Sequence, residues 1–356
     1  MKMADEPDSS GLQQRGESPV TNTEDAEPAA AVVADTEKSL EGQQGDDERE
    51  VIETYARLLV ACHNFQREFR TDATPTASKI RESVADVDKF VADYADAFVG
   101  LMQTKFLVEH PFVHGANAAV YALILADALK LCRERRIQCA TAAATADADE
   151  LTTPGPAESV DFGDESHRRQ NLDSLVALMK KCADGADLAL SLVTLYEGGF
   201  LDAQPLPSAW YDGEYASHLA TRIIAIARDY DLLVQGFGEF PGLNPDLAAQ
   251  ALLTEMGSQY DERLVKLFVT TIGIYPVGSL VKLSDKHRAI VIRSPAPAGR
   301  EELFRVIRPT VKTLGGDGEI IDLSDEEHVD LYILELLDEK FETHPGARWF
   351  FSPFND

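Results

Sequence analysis

The sequence predicts a mainly α fold that ends in a small antiparallel β unit and a terminal helix. Apolar residues at three- and four-residue spacing, the period of a packed helix, recur through most of the chain between residues 46 and 272. Beyond Gly278 the period drops to two, which is typical of strands. The 356 residues, 44% of them hydrophobic, can bury one large core or two modest ones.

Charge and composition exclude several classes of partner. The net charge of −28 argues against nucleic acid or an anionic membrane surface, because binding either depends on Lys and Arg that neutralise phosphates. The sequence has no run of eighteen apolar residues and no basic-then-apolar leader. We therefore expect a cytoplasmic protein. The cysteines have neither a CxxC pair nor metal-ligand spacing, which favours reduced thiols; they are Cys62, Cys132, Cys139 and Cys182.

The N-terminal part divides into a tail and a helical lead-in. Residues 1–45 are rich in Asp, Glu, Gln, Ser, Pro and Ala without aromatic residues, and this composition predicts a disordered acidic tail. Residues 46–108 predict two amphipathic helices, one ending near Phe69 and the other running from about Ala77 to Leu107. Such a lead-in packs either on the following core or on another protomer, and both alternatives stay open.

Residues 109–275 predict a helical core. The stretch from Phe112 to Leu131 is nearly all Ala, Leu, Val and Ile, which suits a central helix buried on most sides. The next clear helix runs from about Ser217 to Val234. Asn244 before a proline predicts another helix start, and a further helix begins at an Asp261 cap and ends at Gly273.

Residues 276–356 predict the β unit, a last helix and a tail. SLVKL and AIVIR form a hairpin through residues 284–286, FRVIR and TVKTL are further strands, and GGDG is a turn before EIIDL. Ser324 and Glu327 match a capping box, which predicts a terminal helix to about Phe341. The aromatic tail ARWFFSPFND either docks on the chain's own core or contacts a partner.

Four segments of the core and β unit carry a family resemblance. AIARDYDLL, VQGFGEF, GSQYDERLV and IYPVGSLVKL follow one another between residues 225 and 283. They resemble the C-terminal half of an HD-GYP domain, found in bacterial cyclic-di-GMP phosphodiesterases, where the first and last segments are written A-V-A-D-x-Y-D-A-L and I-Y-P-V-G-S-L-V-x-L. The likeness extends from about Phe112 to about Leu323. It implies an HD-domain-like helical bundle.

The resemblance also implies positions for metal ligands. His114 takes the place of the family's first histidine ligand, Asp147 that of the aspartate in H-D-x-G-K, and His167 that of the histidine in H-P-x-x-G. These three are vestigial ligand positions. Four other ligand positions carry residues that cannot serve or would repel a cation, namely Ala146, Leu195, Tyr196 and Arg228. Asp229 cannot replace the lost aspartate, because one residue along a helix is about a 100° turn.

The positions that would grip phosphate are altered as well. Glu150 stands where the family has a lysine, so an anion faces the substrate's phosphate. Phe237 and Phe240 replace the two arginines of R-P-Y-R, and phenylalanine cannot form their forked hydrogen bonds. We expect these three phosphate contacts to be lost.

These substitutions predict a degenerate, catalytically inactive HD-GYP-like protein in a bacterium, without catalytic residues, bound metal or other cofactor. It would act as a signalling or regulatory interaction module with a protein partner or as a homodimer. One alternative is a cyclic-di-GMP phosphodiesterase with a reduced ligand set, which would need divalent metal ions. Another is a sensor that binds cyclic-di-GMP without hydrolysis, which the loss of cationic grips disfavours.

Overall fold

The computed structural model describes residues 46–71, 74–103, 111–145, 219–236, 242–257, 260–295, 308–315 and 318–337. The mainly α fold with a small C-terminal antiparallel sheet is confirmed. The helices are α1 (Asp46–Arg70), α2 (Ser78–Val87), α3 (Val91–Gln103), α4 (Pro111–Ala128), α5 (Arg133–Thr145), α6 (Leu219–Gln235), α7 (Pro245–Thr254) and α8 (Glu262–Ile272). None of these helices has the length and apolarity needed to cross a membrane.

The second lead-in helix is broken where a single helix was expected. Helices α2 and α3 are separated by a turn at residues 88–90, and Tyr94 adds a kink inside α3 with φ −125° and ψ 28°. The turn forms at Asp88, whose buried carboxylate accepts two bonds from Arg136 of α5, Nε at 2.6 Å and Nη2 at 3.1 Å. This forked pairing holds the turn against the core.

Helix α4 is the centre of the bundle. Its residues from Phe112 to Ala126 are all buried, and it packs mainly against α5, α6 and α1. Close approach to α5 requires glycine at position 115, because a Cβ there would lie 2.6 Å from the Ala144 carbonyl oxygen. One hydrophobic cluster runs from Val51 on α1 to Ile272 on α8. The lead-in therefore packs on the core of its own chain.

The three described helices after position 218 begin close to their predicted starts, and α6 and α8 also end close to their predicted bounds. Asn244 precedes α7 in an extended conformation, although its side chain makes no capping hydrogen bond. Asp261 caps α8 by accepting from the backbone N–H groups of Arg263 and Leu264. Gly273, with φ 79°, ends that helix.

The β unit is a five-stranded antiparallel sheet. Its strands are β1 (Leu280–Leu283), β2 (Arg288–Arg293), β3 (Thr310–Thr313), β4 (Ile320–Asp322) and β5 (Ile333–Leu336), in the order β4-β3-β2-β1-β5. Successive side chains of a strand point to opposite faces of the sheet, and each face of this sheet carries a cluster of buried apolar side chains. Val281, Val291 and Val311 belong to the inner face, which packs against Ala97 of α3 and against Tyr275.

The terminal helix predicted from the capping box is wrong. The chain instead makes one short 3₁₀ turn, Glu326–His328, and then enters β5. Ser324 does not act as a cap, because its backbone N–H and hydroxyl both bond to the carboxylate of Asp322, at 2.8 and 2.6 Å. The Arg308 guanidinium donates to the carbonyls of His328 and Leu331 and so fixes this segment as a turn.

Several predicted segments lie outside the described residues. These are the acidic tail 1–45, residues 304–307 of the FRVIR strand, and the last residues from 338 onward, including the aromatic tail. The division into a lead-in at 46–108, a core at 109–275 and a β unit at 276–356 remains a proposal.

Candidate functional site

The candidate site is built on His114, the predicted ligand at the start of α4. Its Nδ1 lies 2.8 Å from Oδ2 of Asp231 on α6. The His114 side chain is 7% exposed and that of Asp231 is fully buried. A histidine facing a carboxylate inside the bundle is a polar contact that two packed helices share.

Two further side chains extend this contact. Asn117 donates through Nδ2 to Oδ1 of Asp231 at 2.9 Å. The hydroxyl of Tyr55, on α1, donates to the Asn117 amide oxygen at 2.6 Å. We call Tyr55, His114, Asn117 and Asp231 the buried polar cluster, and it joins three helices through consecutive hydrogen bonds.

Helical spacing brings these residues together. His114 and Asn117 are three residues apart on α4 and therefore share a face. Asp231 lies one turn after Ala227 and one turn before Gln235, both of which are buried on α6. Tyr55 belongs to the apolar stripe of α1, so its ring is in the core while its hydroxyl reaches the cluster.

Burial dominates the electrostatics of the cluster. It raises the pKa of Asp231 above the ordinary carboxyl value, while hydrogen bonds with His114, Asn117 and Gln235 act in the opposite direction. Burial also raises the pKa of Tyr55, and the nearby Asp231 charge adds to that increase. The tyrosine therefore remains a neutral hydrogen-bond donor at physiological pH.

The structure also places Arg228, predicted to stand where the family has a metal-binding aspartate. It is half-buried on α6, one turn before Asp231. Its neighbour Asp229 accepts a hydrogen bond from the hydroxyl of Tyr260 at 2.8 Å. The carboxylate next to Arg228 thus contacts the segment that leads into α8.

His114 and Arg228 are the two predicted site residues that the structure describes. It brings His114 to Asp231, a residue that the sequence analysis had not selected. The other predicted positions lie outside the described ranges; they are Ala146, Asp147, Glu150, His167, Leu195, Tyr196, Phe237 and Phe240.

The described part of the site does not fit a metal centre. Both carboxylate oxygens of Asp231 are bonded, one to His114 and one to Asn117, so a cation at Asp231 would have to displace one of them. Nδ1 of His114 is engaged by the same contact. Within the described ranges, no three His, Cys, Asp or Glu residues are grouped to hold a metal ion.

Sequence reasoning missed Asp231 and Tyr55. For Asp231 a signal was present, because an acidic residue occupies the apolar stripe of α6, in phase with Ala220, Ala227 and Val234. Buried carboxylates are rare unless they are paired, so this position predicts a polar partner on a neighbouring helix. Tyr55 gave no comparable signal, since a tyrosine on an amphipathic helix is ordinary.

Comparison with known proteins gives one distant relative to set beside this geometry. No family model matches the chain. The chain is similar to the cyclic di-GMP phosphodiesterase PA4108 of Pseudomonas aeruginosa, with 22% identity over 246 residues. That alignment covers 67% of this chain and 57% of the relative, so the chain spans less than two thirds of that protein's length. The likeness agrees with the HD-like resemblance of the motifs.

Proposed function

We propose that this chain is a cyclic-di-GMP-related signalling protein whose HD-GYP-like core does not hydrolyse the nucleotide and acts by binding another protein. Similarity to a cyclic di-GMP phosphodiesterase supports the connection with this nucleotide. The main support for the proposed lack of hydrolysis is Arg228, which lies on α6 at the position where the resemblance expects a metal-binding aspartate.

Metal-dependent phosphodiester hydrolysis needs ions that generate hydroxide and clamp the phosphate oxygens. A guanidinium at position 228 is permanently charged and repels such an ion. The buried carboxylate of α6 is Asp231, and its two oxygens are already bonded inside the protein. Loss of outer-shell partners alone typically costs about ten- to a hundred-fold in metal affinity or activity, and lost ligands should cost more.

Five further positions lie outside the described residues and are known from the sequence. Ala146 and Leu195 have no atom that can ligate a metal ion, and Tyr196 replaces a histidine. Phe237 and Phe240 lack the cationic groups that bind phosphate. Together they favour protein binding over nucleotide binding.

A second candidate is a phosphodiesterase with a reduced ligand set. It is favoured by the activity in the relative's name and by His114, which keeps a histidine at the family's first ligand position. A third candidate is a non-hydrolysing cyclic-di-GMP sensor. It shares the nucleotide connection but lacks the arginines of the family motif.

Metal analysis and a hydrolysis assay on the purified full chain distinguish these candidates. We expect no stoichiometric metal and no turnover of cyclic-di-GMP with added Mn²⁺ or Mg²⁺. Turnover that scales with bound metal would establish the phosphodiesterase instead. Isothermal titration with cyclic-di-GMP should give no heat, whereas saturable binding without turnover would establish the sensor.

Restoring the ligands tests the placement of the site. We expect Ala146→His, Leu195→His, Tyr196→His and Arg228→Asp together to restore metal uptake. The matched control combines the same three histidines with Arg228→Lys, which keeps a cation at position 228. If the folded quadruple variant takes up no more metal than this control, the assignment of position 228 is wrong.

A further inference from the structure

The sheet has a second apolar face, which we call the outer face and define by Leu280, Ile290, Ile292 and Lys312. Leu280 pairs with Ile290 across β1 and β2, and Ile290 pairs with Lys312 across β2 and β3. Directly paired residues project on the same side of a sheet, so these side chains form a continuous row.

This face is strongly buried. Leu280 is 1% exposed, Ile290 0%, and both Ile292 and Lys312 8%. Among the described residues, the partly buried apolar side chains packed against its three hydrophobic members are Leu314 and Leu337. Both belong to the β unit itself, whereas the inner face packs on α3 through Ala97. Among the described residues, no helix supplies an apolar side chain to this packing.

We propose that the C-terminal segment 338–356 docks on the outer face of the sheet of its own chain. The segment begins in the right place, because Leu337 packs against this face and its backbone N–H donates to the Leu280 carbonyl at 2.8 Å. Residue 338 follows directly. Only a few residues after Leu337 are needed for the segment to cross β1 on this face.

The composition of the segment suits an apolar row. It contains five aromatic side chains that need burial; they are Phe341, Trp349, Phe350, Phe351 and Phe354. Aromatic side chains laid over Leu280, Ile290 and Ile292 remove the apolar surface of both partners from water.

The length is also sufficient. Neighbouring strands lie about 4.8 Å apart, so the distance from β5 to β3 is about 14 Å. An extended chain covers about 3.3 Å per residue, so about five residues reach Lys312. Trp349 is twelve positions beyond Leu337, and the aromatic cluster can therefore lie over any part of the row.

Trp349 provides a direct probe, because the chain has two tryptophans and Trp210→Phe leaves it as the only one. In that full-length variant we expect blue-shifted emission and acrylamide quenching several-fold weaker than in urea, at every protein concentration. Emission and quenching equal to those of the unfolded chain would overturn the proposal. Burial that appears only with dimer formation, checked by light scattering, would assign the segment to a second copy and also overturn it.

Lysine labelling locates the docking position. Trp349→Ser, Phe350→Ser and Phe351→Ser together should speed acylation of Lys312 several-fold, while Lys266 on α8, which is 48% exposed at its side chain, keeps its rate. Circular dichroism checks that the variant is folded. The matched control replaces polar residues of the same segment, Arg348→Ser and Asn355→Ser, and should leave both rates unchanged. If Lys312 stays protected in the aromatic variant, another segment such as 296–307 covers the face and the proposal fails.

Discussion

The hydroxyl of Tyr55 donates to the amide oxygen of Asn117 at 2.6 Å, which connects the first described helix to the central helix of the core. Tyr55 is 8% exposed and Asn117 is fully buried. Water cannot easily replace a bond in this position, so losing it should cost more than losing a surface contact. The lead-in is held in register by this bond as well as by apolar packing.

Replacing Tyr55→Phe should lower the free energy of unfolding by about 1–3 kcal/mol, because the Asn117 amide oxygen would keep its burial and lose its donor. Urea denaturation followed by circular dichroism measures the change. Tyr332→Phe is the control, since Tyr332 is exposed and the substitution should stay within about 0.5 kcal/mol of the wild type. Equal stability of the two variants would contradict the role given to the Tyr55 hydroxyl.

Asp231 should make stability depend on pH in a direction opposite to that of most paired carboxylates. Burial raises its pKa in the folded state, so the folded protein binds this proton more tightly than the unfolded chain. The contribution of Asp231 to the free energy of unfolding therefore falls as pH rises from the ordinary carboxyl pKa of 3.8 through the raised pKa. The wild-type stability minus that of Asp231→Asn should be largest at the lowest pH and decline to a plateau.

Asp285 provides the control of opposite sign. Burial acts to raise the pKa of Asp285, but hydrogen bonds with His287 outweigh it and the net pKa is lowered. The stability difference between the wild type and Asp285→Asn should therefore be present above the ordinary carboxyl pKa and vanish as pH falls through the lowered pKa. Unfolding curves at a series of pH values test the predictions for both variants. A difference for Asp231→Asn that grows with pH would show that hydrogen bonding, not burial, controls this carboxyl.

Gly278 should tolerate alanine less well than Gly257, although both have positive φ, 89° and 81°. At Gly278 a Cβ would lie 3.3 Å from the Gln103 Cβ and 3.4 Å from the Gly100 Cα, whereas around Gly257 the described residues leave open space. We expect Gly278→Ala to cost at least about 1 kcal/mol more than Gly257→Ala, because overpacking adds to backbone strain. Thermal unfolding of both variants measures this difference, and equal costs would mean that α3 yields to the added methyl group.

The cysteines should differ sharply in reactivity. Burial raises the pKa of Cys62 to about 12 and that of Cys139 to about 11, whereas Cys132 is exposed. In a Cys182→Ser background, a disulfide reagent such as DTNB should modify one thiol quickly, because the thiolate is the reactive form. Adding Cys132→Ser should remove this fast phase, and urea should make the remaining thiols reactive. A fast phase that survives Cys132→Ser would contradict the buried placement of Cys62 and Cys139.

Local signals in the sequence predicted much of the fold. The Asp261 cap, the Gly273 helix end and the hairpin at residues 284–286 depend on neighbours a few positions away, and the structure has each of them. The capping box at Ser324 failed because a nearer acceptor, Asp322, bonds its hydroxyl and N–H. Local patterns list the bonds that a residue can make, and tertiary contacts select among them.

The site could be predicted less completely. The resemblance selected His114, but its partner Asp231 comes from α6. Tyr55, which joins the cluster through Asn117, comes from α1, and no local spacing connects these three helices. Likewise, the break between α2 and α3 depends on Asp88 meeting Arg136, 48 positions later. Pairing of polar groups that are far apart in sequence depends on how the helices pack. A single sequence therefore indicates which polar residues could pair, but not which partner each of them has.

The strand order β4-β3-β2-β1-β5 has a consequence for synthesis, because the strand made last among these five lies beside the one made first. As a nascent chain leaves the ribosome, β1 can pair with β2 early but must wait for residues 333–336 to fill its other side. A chain truncated after Asp322 would therefore leave the backbone N–H and C=O groups along one edge of β1 unpaired. Such an edge can pair with other unfinished chains.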